Sequence, residues 1–319
     1  PLPKKGWQYS LSEPNCLPLD RASYRIGLTG KLQPESDILK IDFAVRDAIG
    51  IKRRGGQMVQ PWARSKPATP KSIPVTLLYD INVATPPRGP LHLALERPDT
   101  FDIYLNDQPV GMDTISGWWC DRSMKTIPLD ANAVRTGRNI LRLECRYDEL
   151  HPGLEMIYLL GEFGTAANGA RTSLTARPAT IDIGDWTKQG FAFFGGSLTY
   201  IRSIRPELKK GERLCISFPG YKGVAVRVIV NGTNAGVVAW EPNALDITER
   251  LKDGDNELRI ELLGHRRNSH GPLHHADQTL EWTGPWEFTT MDDKWTDAYQ
   301  IVETGLTAAP RLSYQRPAR

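Results

Sequence analysis

The stretch VRVIVNGTNAG (226–236), continued by AW (239–240) and EPNALDITERLKDGDNELRIEL (241–262), decides the fold, because the chain contains it twice. The earlier copy is FDIYLNDQPVG (101–111), GWWCD (117–121) and IPLDANAVRTGRNILRLE (127–144). Both run strand, Asn turn, Gly, Trp, Leu-Asp, one helical turn, Gly, Asn, strand. The matching positions are Asn106 with Asn231, Gly111 with Gly236, Asp130 with Asp246, Gly137 with Gly254, Asn139 with Asn256, and Glu144 with Glu261. Asn231-Gly232 suits a tight hairpin with positive φ. Asp130 and Asp246 stand where a side-chain oxygen caps a short helical turn, and Gly137 and Gly254 where that turn ends in a left-handed residue. Two copies roughly 120 residues apart imply two similar domains rather than a stacked array of short repeats.

Strand patterns dominate the surrounding chain. Short alternating runs bounded by Gly, Pro, Asn or Asp occur at 38–43, 74–83, 91–96, 101–105, 140–145, 156–160, 197–201, 214–218, 224–230 and 258–262. Such spacing predicts sandwiches or barrels. With 28 Gly and 24 Pro in 319 residues, turns are favoured over long helices. The expected organisation is all-β, with two tandem jelly-roll β-sandwiches over residues 1–165 and 179–319. A small, polar linker joins them at 166–178, and the tail beyond Pro310 is expected to be loose.

Forty basic and 37 acidic residues leave a formal charge of +3, too balanced for a nucleic-acid or anionic-membrane partner. The basic run Lys52-Arg53-Arg54 reads as a solvated turn. No stretch has the roughly 18–20 apolar residues of a membrane span. A start at Pro1-Leu2-Pro3 without an initiator Met is expected of a segment of a longer polypeptide. Cys16, Cys120, Cys145 and Cys215 show no CxxC spacing; Cys145 and Cys215 read as core residues, and a Cys16–Cys120 pair stays open.

The unit VNGTNAG…W…LDITERLKDGDNELRIEL resembles the sugar-binding jelly-roll domain of family 2 glycoside hydrolases, which has a galactose-binding-like fold. A wider pattern resembles the C-terminal part of large bacterial glycoside hydrolases, including those related to α-L-rhamnosidases. It comprises LALERPDTFDIYLND (93–107), GWWCD, LEMIYLLGEFG (154–164), GDWTKQGFAFFGGSLTY (184–200) and RRNSHGPLHH (266–275). The resemblance implies a non-catalytic carbohydrate-binding or scaffolding module. Its partners would be an oligo- or polysaccharide and the catalytic domain of a parent enzyme, in a periplasmic or extracellular setting. An autonomous glycosidase or polysaccharide lyase with a cleft between the domains, and a brace with no ligand, are the rival readings.

Candidate ligand contacts follow from residue chemistry. In the loop HRRNSHGPLHH (265–275), Arg266, Arg267, Asn268, His270, His274 and His275 form a dense set of donors for sugar hydroxyls or a uronate; the alternative is that they tie the loop to backbone carbonyls. Zinc on His270 and His274 is disfavoured by the intervening Gly271-Pro272. Trp118 and Trp119, followed by Asp121, and their counterpart Trp240 offer flat faces for a pyranose, although strand alternation turns one of the Trp118/Trp119 pair inward. Trp186 and Trp286 are expected to cover sheet ends. Glu144 and Glu261 read as structural, while Asp42, Asp182 and Asp185 have no recognisable catalytic partner. No cofactor is expected; a structural calcium ion stays unassigned.

Overall fold

The structure, a computed structural model, describes residues 1–53, 69–111, 115–280, 282–288 and 292–316. Among them the chain is mostly β, folded into several largely antiparallel sheets with two short α-helices. No helix among the described residues is long and apolar enough to cross a membrane.

A five-stranded sheet takes the order Asn15–Leu19, Ile157–Gly161, Leu91–Glu96, Asp121–Leu129, Gly117–Trp119. Facing it is a larger sheet centred on Ser72–Val83 and Gly137–Asp148, which pair antiparallel over their full lengths. Their periodicity of two explains the packing. Val75, Leu77, Tyr79, Ile81 and Val83 are all buried, as are Leu141, Leu143, Cys145 and Tyr147 across the ladder. These residues join Leu93, Leu95, Ile127, Leu159 and others in one apolar core. Each such side chain, fully removed from water, contributes roughly 1.5–3 kcal/mol before chain entropy is counted.

A second core forms between the sheet Gln8–Leu11, Leu198–Ile204, Asn256–Leu263, Ala225–Val230, Thr233–Val238 and the three strands Ala244–Asp246, Arg213–Ser217 and Arg311–Gln315. Val226, Val228 and Val230 alternate inward opposite Leu258, Ile260 and Leu262.

Four details depart from the sequence expectation. First, residues 38–49 are a helix, not a strand. Asp37 accepts from the amides of Leu39 and Lys40, Gly50 ends the helix at φ 66°, and Ile38, Ile41, Asp42, Val45 and Arg46 form its buried stripe. Second, the segment read as a linker carries the hairpin Gly164–Asn168 with Arg171–Thr175, whose Leu174 is buried in the first core. Third, the strand Gln8–Leu11 pairs with Leu198–Ile204, and Trp7 is buried in the second core, so the N-terminal residues complete the distal unit. Fourth, the tail expected to be loose forms Arg311–Gln315 against Arg213–Ser217. Arg54 of the basic run lies outside the described residues, and Arg53 pairs with Asp47 at 2.9 Å.

The duplication extends to individual hydrogen bonds. Asn106 Nδ2 donates to Ala133 O and Asn139 Oδ1, both at 2.8 Å, and its Oδ1 accepts from Ile140 N at 2.9 Å. Asn231 Nδ2 donates to Arg250 O at 2.9 Å and Asn256 Oδ1 at 2.8 Å, and its Oδ1 accepts from Glu257 N at 3.1 Å. Asn139 and Asn256 each clasp the turn before their own strand, through Arg135 and Lys252 respectively. Asn106 and Asn231 adopt positive φ at the hairpins, a conformation Asn tolerates.

Candidate functional site

The loop 265–275 is turned inward. Arg266 forms a two-pronged ion pair with Glu13, with Nη2 to Oε2 at 2.6 Å, and lies over the ring of Trp119. Arg267 Nη1 donates to Pro272 O at 3.1 Å. Asn268 is buried and exchanges two 2.8 Å bonds with the backbone of Val302. His270 stacks on Tyr158, with centroids 5.0 Å apart, and its Nδ1 meets Ser269 Oγ at 2.9 Å. Burial, then the nearby Arg266 charge, lowers the His270 pKa to about 4, so the ring is neutral.

His274 is the most buried of the loop's histidines. Its Nδ1 faces Thr296 O and its Nε2 faces Asp20 Oδ2, both at 3.0 Å, while Tyr299 donates to Asp20 Oδ1 at 2.7 Å. Both ring nitrogens thus face oxygen partners in a contact buried from solvent. Trp295 stacks on the ring and Tyr299 lies tilted against it, each with its centroid 4.6 Å away. His275 Nδ1 accepts from Asp277 N at 3.1 Å. His270 and His274 thus serve separate contacts rather than a common ion, and no group of three His, Cys, Asp or Glu able to hold a metal occurs among the described residues.

The tryptophans divide as strand alternation predicts. Trp119 is buried edge-on against Tyr158, with centroids 5.0 Å apart, whereas Trp118 is 56% exposed on the edge strand. Asp121 is exposed and accepts from Ser123 N at 2.7 Å. Trp240, 81% exposed, stands on the distal unit. Trp118 and Trp240 are therefore the sequence candidates that present a free aromatic face. Trp186 is buried within the second core instead of covering a sheet end, and Trp286 is open to solvent.

The carboxylates singled out from sequence hold structure. Asp42 accepts from Tyr147 Oη, Leu154 N and Arg46 Nε at 2.7–2.9 Å. Glu144 pairs with Arg142, Glu261 with Arg227, Asp182 accepts from Gly6 N, and Asp185 caps Thr187. All four cysteines are free thiols, Cys16 donating to Phe193 O.

A cleft of about 80 Å³ opens where helix Ile38–Ile49 meets the second half of loop 265–275 and the chain beyond it. Leu39, Met156, Pro272, Phe288 and Trp295 line it with apolar surface, and Glu155, Glu287 and His275 add polar groups. Lys40 Nζ stands 4.0 Å over the Trp295 ring. The turn Pro285–Glu287 is held by Gly284 N donating to Glu287 Oε2 at 2.7 Å. That turn carries Trp286, 69% exposed, with Trp282, 70% exposed, just before it. The sequence places Trp286 over a sheet end and His275 among the ligand candidates but gives Trp282 no role; the further signal available is WTGPWEF (282–288), two Trp four apart around Gly-Pro.

Asp20 and Asp37 also line the cleft. Burial, then the charge of Asp20, raises the Asp37 pKa to about 6, while the Lys40 and Leu39 amides and His274 pull it back. Asp37 Oδ1 caps the helix, and both oxygens of Asp20 are engaged by His274 and Tyr299. Each acid has a structural task that explains its position.

No protein-family model matches the sequence, and no curated protein sequence matches it. Solved structures give distant likenesses. The rhamnosidase from Novosphingobium sp. PP1Y aligns at TM-score 0.33 and 16% identity, over 86% of this chain and 26% of that one. The α-L-rhamnosidase of Streptomyces avermitilis gives 0.25 and 10%, over 96% and 36%. The GH2 β-galacturonidase of Eisenbergiella tayi gives 0.28 and 11%, over 82% and 38%. The chain is mostly β and has a low-level structural resemblance to parts of large glycoside hydrolases. It spans about a quarter of the first of these chains and under two-fifths of the other two.

Proposed function

We propose that the chain is a glycan-binding accessory module of a larger glycoside hydrolase, made of two jelly-roll sandwiches of the galactose-binding kind, and that the aromatic cleft is where it holds sugar. The observation carrying this reading is that Trp282 and Trp286 are exposed on the same short segment whose Glu287 and Phe288 line a small, mainly apolar cleft together with His275 and Trp295. Pyranose rings have an apolar C–H face and equatorial hydroxyls, so flat aromatics beside a few polar groups suit them. Of the four acids lining the cleft, Asp20 is engaged by His274 and Tyr299, Asp37 by helix amides and Glu287 by Gly284 N, which favours binding over hydrolysis, because a glycosidase needs two acids free to reach the scissile bond. Catalysis would belong to a domain elsewhere in the parent polypeptide, in a periplasmic or extracellular setting.

The test is affinity electrophoresis of the purified chain through gels containing a panel of plant and bacterial polysaccharides, with reducing-sugar release assayed in parallel. Retardation in at least one gel without turnover is expected, and Trp286→Ala should weaken it about fivefold, since a stacked aromatic is worth about 1 kcal/mol. Release of reducing sugar, or retardation indifferent to Trp286→Ala and Trp282→Ala, would overturn the reading.

A further inference from the structure

A second cavity of about 430 Å³ lies on the other side of Asp20, within the ~300–1,000 Å³ range of small-molecule sites. Unlike the aromatic cleft, it is lined mainly by polar side chains. Three guanidinium groups, Arg21, Arg138 and Arg171, face it together with Asp80 and Glu35. Their pairing is uneven. Arg138 is held by Asp80 through Nε at 2.8 Å and Nη2 at 3.1 Å. Arg21 is shared between Glu35 at 3.5 Å and Asp297 at 3.3 Å. Arg171, exposed on the hairpin strand Arg171–Thr175, has no carboxylate within ion-pair distance among the described residues. With Asp20, three carboxylates and three guanidinium groups line the cavity, and Arg171 is the guanidinium that makes no ion pair among the described residues.

We infer that this cavity binds an acidic sugar, with the carboxylate of a uronic acid residue lying against Arg171. A guanidinium is planar and presents parallel N–H donors that match a carboxylate in two-point contact, which a point-charge ammonium does not. The neighbouring groups suit the rest of a pyranose. Asn82 and Thr172 bring amide and hydroxyl groups able to donate and accept, and Pro18 offers an apolar face. The fixed pair Arg138–Asp80 presents charge of both signs, which suits hydroxyls as well. Ser72–Val83, Gly137–Asp148 and Arg171–Thr175 are strands, so the groups stand on a rigid floor. The inference rests on the glycan-binding reading and adds a charge requirement to it.

The test uses calorimetric titration of the full chain with oligogalacturonate, with the same oligomer after chemical reduction of its carboxyl groups, and with a sulfated neutral oligosaccharide. The intact protein is expected to bind oligogalacturonate at least fivefold more tightly than the reduced form. Arg171→Ala should abolish that discrimination at unchanged melting temperature, Arg171→Lys should recover only part of it, and Trp286→Ala should lower both affinities while preserving their ratio. Equal affinity for sulfated and carboxylated oligomers would overturn the assignment to a carboxylate. Binding of both neutral and acidic oligomers with no dependence on Arg171 would sink the acidic site and leave the module's glycan role standing. Failure of every oligomer to bind would remove both.

Discussion

The buried Asp37 and the half-buried His270 respond to acid in opposite senses. Asp37 has its pKa raised to about 6 from 3.8, so the folded state holds that proton more tightly than the unfolded chain. Its contribution to stability is greatest below pH 4 and is lost as pH rises from about 4 through 6. His270 is lowered to about 4 from 6.5, so its contribution is present above pH 6.5 and lost as pH falls toward 4. The two effects offset one another across the same window, and the native protein should show a nearly flat stability between pH 4 and 6.5 from this pair. Asp37→Asn keeps a helix-capping side chain while removing the buried charge. In urea unfolding it should be more stable than the parent at pH 7.5, the gap closing as pH drops through 6 toward 4. His270→Phe retains the stacking surface on Tyr158 and should expose the Asp37 effect, stability now increasing upon acidification from 6.5 to 4. A parent-like pH profile in both variants would show that neither group carries a shifted proton affinity.

At the level of the element, the strand-turn-strand unit is specified by its two asparagines. Asn256 is buried and joins Lys252 N, Lys252 O, Gly254 O and Asn231 Nδ2, so its loss leaves several polar groups without partners away from water. At ~1–3 kcal/mol for each unsatisfied group, Asn256→Ala should destabilise the distal unit by about 3 kcal/mol. Amide exchange should accelerate around 248–257 and stay unchanged at the matching turn 131–139; Asn139→Ala should give the mirror image. A loss under about 0.5 kcal/mol would mean the clasp is redundant. This unit was legible from sequence because its signals are local: Asn-Gly at a hairpin, Asp before a turn, Gly after it. The helix Ile38–Ile49 was not read, since ILKIDF also alternates with period two and matches a strand as well as a helix. The loop 265–275 misled for a different reason. Its residue types were read correctly as hydrogen-bonding chemistry, but the partners of Arg266 and Asn268 are Glu13 and Val302, 253 and 34 residues away. Nothing local distinguishes an arginine that faces a ligand from one that faces such a partner.

Across the whole molecule, chain order and spatial order differ. The first strand, Gln8–Leu11, closes the edge of the sheet that begins with Leu198–Ile204, and Trp7 packs edge-on against Tyr200 with centroids 6.1 Å apart. The chain then crosses to build the first core before returning, and Asn15 marks the crossing by donating to both Phe163 O and Gly190 O. Alternation cannot reveal this, because a strand pattern states that a residue will pair and not with which sheet. The consequence is that the distal unit is incomplete without residues from the far end of the sequence. A chain beginning at Glu13 loses an edge strand and a fully buried Trp, whose removal alone costs ~3–5 kcal/mol. The distal unit should therefore unfold at markedly lower temperature while the first unit, whose core contains none of residues 1–12, keeps its transition. A synthetic peptide of residues 1–12 added in excess should raise the lowered transition in proportion to the logarithm of its concentration, as a ligand that binds only the folded state must. Coincident melting of the truncated and full chains, or a peptide without effect at any concentration, would show that the exchanged strand contributes little to the stability of the unit it completes.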